Sequence, residues 1–376
     1  MKGKGTVLVL GARAATAALP TVAAPASEDF ASEHAVFVMT NNADSNEVIA
    51  YERNQNGTLH SPHHYSTGGR GSGGTVDPLS SQGSLTLSDD HEFLFAANAG
   101  SGTVSVFRAF GPHLILTDRV PSGGSEPNAV AQHGKLVYVL NTAGSSSVVG
   151  FEFYEGKLKR ISDSQRFLSA NFVNSGSVAF SKDGRYLVVT EIATNNIDVF
   201  RVQADGRLST ITVNPGVGKG TFSAVFAPSG ALLVSETGGP GPNSSTTSSY
   251  RILSDNTLAP ISPAVPTLGA ANCWNVVTPN GRFVYNSNAG TSSIAGFVLG
   301  SNGSLTPLPG TVVGLNPSGA TNLDVAISAD GAYLYSLNAG NGSIGIFQIE
   351  RDGSLTNFGT LGGLPAGAGL NGIAAN

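Results

Sequence analysis

From Ala35 onward, short apolar runs alternate with clusters of Gly, Ser, Asn, Thr and Asp. Runs of this kind, some with a period of two and some continuous, predict β-strands separated by tight turns. The pattern also repeats. Its clearest copy, LDVAISADGAYLYSLNAGNGSIGIFQIERDGSLTNF, runs from Leu323 to Phe358. Similar copies begin at Trp274, Gly176 and Gly83, weaker ones near Asn128 and Phe222, and a headless one spans Ala35 to Leu59. Self-similarity at a fixed period is the signature of a repeat architecture.

Each copy resolves into four strands, A to D. Asp330-Gly331 joins A to B in the clearest copy, and Asp352-Gly353 joins C to D. Asn56-Gly57, Asp205-Gly206 and Asn302-Gly303 hold the C-to-D offset elsewhere. These dipeptides favour the left-handed turns that match strand twist, so hairpins are expected. With Thr58 and Ser304 two of them also spell glycosylation sequons, although the turn alone accounts for the residues.

One residue marks the end of strand B in each copy: Asn42, Asn98, Asn141, Glu191, Glu236, Asn288 and Asn338, at intervals of 43 to 56 residues. Seven four-stranded antiparallel units at that spacing predict an all-β, seven-bladed β-propeller over residues 35–376. The first copy lacks strand A, while the terminal GLNGIAAN reads as a strand A with nothing after it. The C-terminal strand is therefore expected to close the first blade.

Strand order puts the B-to-C and D-to-A connections on one face. The D-to-A stretches there are long, roughly 61–82, 117–127, 161–175, 210–221 and 262–272. Loops on a rigid scaffold are where binding usually resides. Five Asn markers suit turn geometry, whereas the change to Glu191 and Glu236 in adjacent copies does not follow from it. Two carboxylates near a channel mouth can serve as general base and acid, or hold a cation. Asn98, Asn141, Asn288 and Asn338 are the candidate substrate-binding groups, with Lys219 as a basic candidate beside Arg70, Arg119 and Arg166. No histidine falls at a marker, which leaves a His-dependent triad without support.

Composition narrows the field. Gly 49 and Pro 19 of 376 residues, with only 12% charged, leave turns and surface to small polar side chains. The formal net charge of −5, without basic runs, argues against nucleic acid as a partner. Cys273 is the only cysteine and reads as a small buried hydrophobe. Lys2 and Lys4 precede an apolar segment from Thr6 to Gly11 and an Ala-rich stretch ending PTVAAPASEDF. That predicts a signal peptide and leader over residues 1–34 and a secreted or periplasmic protein, with Arg13 as the one interruption. No apolar run reaches the ~18 residues of a membrane span. No cofactor or metal is expected, and the chain is expected to be a monomer.

These repeats resemble the lactonase-type seven-bladed propellers, the family of bacterial 6-phosphogluconolactonase and fungal carboxymuconate cyclase. The segment VAFSKDGRYLVVTEIATNNIDVF is similar to the family's strand pair followed by Asn-Glu-Leu, which places Glu191 on that motif's Glu. The family's Gly-Pro-Arg-His would fall on Asn174, Ser175, Gly176 and Ser177, so its Arg and His are absent here. The resemblance implies a lactone hydrolase in which Glu191 or Glu236 moves a proton and rim Asn groups polarise the carbonyl. The other reading is a non-catalytic extracellular propeller that binds carbohydrate or protein on its long-loop face. Few cations on that face favour a neutral substrate over a phosphorylated one.

Overall fold

The computed structural model divides the chain into residues 1–31 and 32–376 and describes Met1, Gly3 and residues 34–376. The expected signal peptide thus lies almost wholly outside the described residues. The rest forms seven antiparallel sheets, each ordered A-B-C-D, with one extra two-residue strand, Arg166–Phe167, in blade 3. No helix among the described residues is long and apolar enough to cross a membrane.

The A strands line the centre and touch their neighbours all the way round. Strand B lies between A and C and between adjacent blades, so it is apolar on both faces. Tyr186–Glu191, Phe283–Asn288 and Tyr333–Asn338 are buried along their whole length, which explains why alternation fades there. The outer D strands are mostly exposed, as in Leu355–Gly362. Their polar sequences hide their length: Leu59–Ser66, His113–Pro121 and Leu258–Pro266 extend into stretches that read as loops.

The ring closes as expected. Ile373–Ala375 pairs antiparallel with Ala35–Met39, in the register Val36↔Ala375, Phe37↔Ala374 and Val38↔Ile373. The hairpin glycines take the left-handed backbone, with φ of +80° at Gly57, +80° at Gly206 and +88° at Gly353. They also serve as latches between blades. Tyr138, Tyr285 and Tyr335, each on strand B, donate to the carbonyls of Gly206, Gly353 and Gly57 in the next blade, at 2.7, 2.9 and 2.9 Å. The Tyr335 latch joins blade 7 to blade 1, and a Cβ on Gly57 would come within 2.3 Å of the Tyr333 ring.

Most A strands carry a register shift near their first residues, at Pro127/Ala129, Ser175/Ser177, Thr221/Ala224, Asn272/Trp274 and Leu323/Val325. Bulges kink a strand and re-aim its side chains.

Candidate functional site

The strand B markers do not open into the channel. Glu191 and Glu236 are 0% exposed, and each is enclosed by donors from its own blade and from the connection that arrives from the preceding one. Glu191 accepts from the Ser169 amide at 2.8 Å, the Ser169 hydroxyl at 2.5 Å, Asn196 Nδ2 at 3.3 Å and the Thr194 hydroxyl. Glu236 accepts from the Gly218 amide at 2.9 Å, Ser248 Oγ at 2.6 Å, Tyr250 Oη at 3.5 Å and the Thr246 hydroxyl. Asn98 and Asn288 play the same part with Thr67 and Thr267, whose hydroxyls donate to them at 2.7 and 2.9 Å.

Asn338 is held within its own blade by Ser343, and Asn141 is buried with its Oδ1 unpartnered. The first copy departs from the expected alignment. Asn42 is exposed and caps a turn through the amides of Asp44 and Ser45, while Thr40, bonded through its amide to Glu47, holds the marker's place. Lys219 is exposed on the connection into blade 5. These residues therefore do not converge on one cleft. Glu191 and Glu236 share only Thr221, whose hydroxyl donates to the Glu191 carbonyl and whose backbone lies opposite Glu236.

A second carboxyl lies beside Glu191. Asp198, on strand C of blade 4, is fully buried, and neither of its oxygens has a hydrogen-bond partner if it is ionised. Burial, then its bond to Glu191 and the charge there, push the Asp198 carboxyl up to about 9. Burial also acts to raise Glu191, but bonds from Asp198, Ser169 and Thr194 outweigh it and hold Glu191 below its ordinary range. The pair shares one proton, carried by Asp198, as expected when two carboxyls occupy one dry site.

The long-loop end of the channel is filled by the connection from blade 1 to blade 2. Asn128 Nδ2 donates to the Leu79 carbonyl at 3.3 Å, and Ser81 Oγ donates to the Asn128 carbonyl at 2.7 Å. Trp274 Nε1 donates to the Ser81 carbonyl at 2.9 Å. Gln82 bonds the backbone of Asn275 through both ends of its amide, at 2.8 and 3.1 Å, and its own amide donates to Gly176. Blades 3, 4 and 6 thus grip one loop, which crosses the channel as a plug.

Beside the plug is a hollow of about 350 Å³, lined among others by Val76, Asp77, Cys273, Trp274, Ser292 and Thr321. Asp77 is half-buried at φ +40° and accepts from Asn371 Nδ2 at 3.0 Å, with Asn371 fixed by Ser84 at 2.8 Å. Burial pushes the Asp77 carboxyl up to about 7 against the opposing bonds from Ser80, Asn371 and Ser81. Asp324, enclosed behind it at φ +52°, rises to about 7 through burial, with a further contribution from the charge of Asp77. Burial and the same charge push the Cys273 thiol up, so it stays protonated and unreactive. A carboxyl that titrates near neutrality in a cleft is the signature of acid–base work. Neither aspartate was identified from the sequence. Asp-Pro in a Gly-rich connection and a lone acid in the apolar NLDVAI were the available signals.

Residues 29–175 match the family described as "Lactonase, 7-bladed beta-propeller". Among solved structures, the chain is similar to a candidate 6-phosphogluconolactonase from Bacteroides uniformis, at 20% identity over 92% of this chain and 100% of that one, TM-score 0.68. It is similar to the periplasmic gluconolactonase of Pseudomonas aeruginosa at 16% identity over 91% and 99%, TM-score 0.66. A functionally unknown protein from Desulfotomaculum acetoxidans aligns at 14% identity over 92% and 99%, TM-score 0.68. No curated protein matches the chain in sequence.

Proposed function

The chain is a lactonase-type seven-bladed β-propeller, and from that premise we propose that it hydrolyses a small neutral lactone in the hollow beside the plug, with Asp77 as the proton-transfer group. The observation that carries this reading is a half-buried carboxyl that titrates at about 7 in a lined hollow on the long-loop face. In its ionised form Asp77 removes a proton from water as the water oxygen bonds to the lactone carbonyl carbon. It then returns that proton to the ring oxygen as the carbon–oxygen bond breaks, which yields a hydroxycarboxylic acid. Catalysis by a single acid–base group asks for a pKa near the working pH. The hydroxyls of Ser292 and Thr321 also line the hollow and are available to donate to the developing oxyanion.

None of the residues lining the hollow is Lys, Arg or His, which disfavours a phosphorylated ring and supports a neutral sugar lactone. The leader sequence and the periplasmic gluconolactonase among the similar structures support a site of action outside the cytoplasm, secreted or periplasmic. The test is hydrolysis of glucono-δ-lactone, its 6-phosphate and dihydrocoumarin, followed by pH-stat. Glucono-δ-lactone turnover with an inflection near pH 7, lowered ~10²- to 10⁴-fold in Asp77→Asn, is expected. Absence of turnover, or full turnover in Asp77→Asn, overturns the assignment.

One observation favours a binding module instead. Val76, Phe172, Val217, Leu268 and Leu315 are exposed, one at each of five D-to-A junctions of the same face, and a rim of apolar side chains marks an interaction surface. Pull-down of cell-wall polysaccharide by a catalytically silent protein would favour that reading.

A further inference from the structure

We propose that the opposite, hairpin end of the channel is a separate binding site for a small carboxylate with an apolar body. A cavity of about 260 Å³ opens there across the inner strands of blades 2 to 5. Its walls include Val130, Val178, Phe180, Ala224 and Phe226, and its floor includes Gln82. The Gln82 amide is held at both ends by the backbone of Asn275, which fixes the floor, and the cavity shares no lining residue with the Asp77 hollow.

The chemistry is concentrated at the rim. His133 Nδ1 lies 3.2 Å from Asp89 Oδ2, which fixes the ring's tautomer and orientation, and the ring packs on Phe180 with centroids 5.9 Å apart. Gln132 braces the pair, accepting from the Asp89 amide at 2.8 Å and donating to the Gly134 carbonyl at 2.6 Å. The Gly134 amide adds a bond to Asp89 Oδ2 at 3.3 Å. Asp89 is thereby committed to His133 and Gly134. Lys182, on the A-to-B hairpin of blade 4, lines the same rim with no ion-pair or hydrogen-bond partner among the described residues. The rim therefore offers one uncommitted cation above a well with an apolar wall and a polar margin, beside an imidazole of fixed orientation.

A concave site that joins an apolar wall to convergent polar groups is the ordinary form of a small-molecule site. Here the wall of Val130, Val178, Phe180, Ala224 and Phe226 takes a hydrocarbon body, and Lys182 takes a carboxylate head. The volume is ample for a body of one aromatic ring. This site stands independently of the hydrolytic reading, since the two share no side chain.

The experiment titrates isotopically labelled full-length protein with sodium benzoate and follows the His133 ring resonances, with benzamide as the uncharged analogue. Benzoate is expected to shift the His133 signals saturably and at least tenfold more tightly than benzamide. Lys182→Ala should weaken benzoate binding about tenfold, Ala179→Leu, which fills the well, should abolish it, and Asp77→Asn should leave it unchanged. Lys182 is exposed, so its variant folds even if Ala179→Leu does not. Benzoate that leaves His133 unmoved, that binds no better than benzamide, or that binds Lys182→Ala as tightly as the parent overturns the proposal.

Discussion

Replacing Asp198 by Asn should stabilise the protein, increasingly so as the pH rises. In the fold the Asp198 carboxyl titrates at about 9, against an ordinary value of 3.8. A carboxyl raised on folding contributes most below its unfolded pKa, and that contribution is lost as pH climbs toward the folded one. Between about pH 4 and 9 the folded state holds a proton that the unfolded chain has released, so stability falls by ~1.4 kcal/mol per pH unit from this group alone. By pH 7 the loss is at most about 4 kcal/mol.

An Asn side chain reproduces the donor that protonated Asp198 offers to Glu191, and it never ionises. The variant and the parent should therefore agree near pH 4 and diverge above it, with the variant ahead by about 1–4 kcal/mol at pH 7. Asp77 and Asp324, raised to about 7, add their own decline below that pH in both proteins and cancel in the difference. Denaturant unfolding at fixed pH values from 4 to 9 measures the gap. Parallel curves, or a variant less stable at pH 8 than its parent, would show that no proton is held between the two carboxyls.

Three further outcomes are expected. Deleting residues 370–376 removes the strand that pairs with Ala35–Met39 and should lower the unfolding temperature by many degrees, whereas a truncated protein that melts like the full chain would contradict closure. Glu236→Gln should cost about 1–2 kcal/mol, because the Thr246 hydroxyl can turn to accept, and Glu191→Gln about 2–4 kcal/mol, because an amide nitrogen there meets the donating Asn196. If chemistry resides at these glutamates instead of Asp77, the same variants lose ~10²- to 10⁴-fold in lactone turnover, and kinetics corrected for folded fraction separate the two cases. Mass spectrometry of the exported protein should find a new N-terminus between about residues 23 and 35, and recovery of intact Met1 from the cytoplasm would contradict export.

The repeat, the seven blades, the glycine hairpins and the closure by GLNGIAAN could all be read along the chain, because each depends on local turn chemistry and on a period that neighbouring residues express. The ends of strand B were legible for the same reason, except in the first copy, where the adjacent Asn41 and Asn42 hid Thr40. The surroundings of those ends were not. Whether Glu191 and Glu236 meet solvent depends on Ser169 and Gly218, which arrive from the preceding blade, and on Asp198 across a strand pair. Asp77 acquires its character only when the ring brings Asn371 beside it and lays its loop over Trp274. Local pattern carries φ and ψ preferences and the periodicity of burial. Dielectric surroundings and the company of charges are set by residues distant in sequence, and for these side chains only the closed ring decided them.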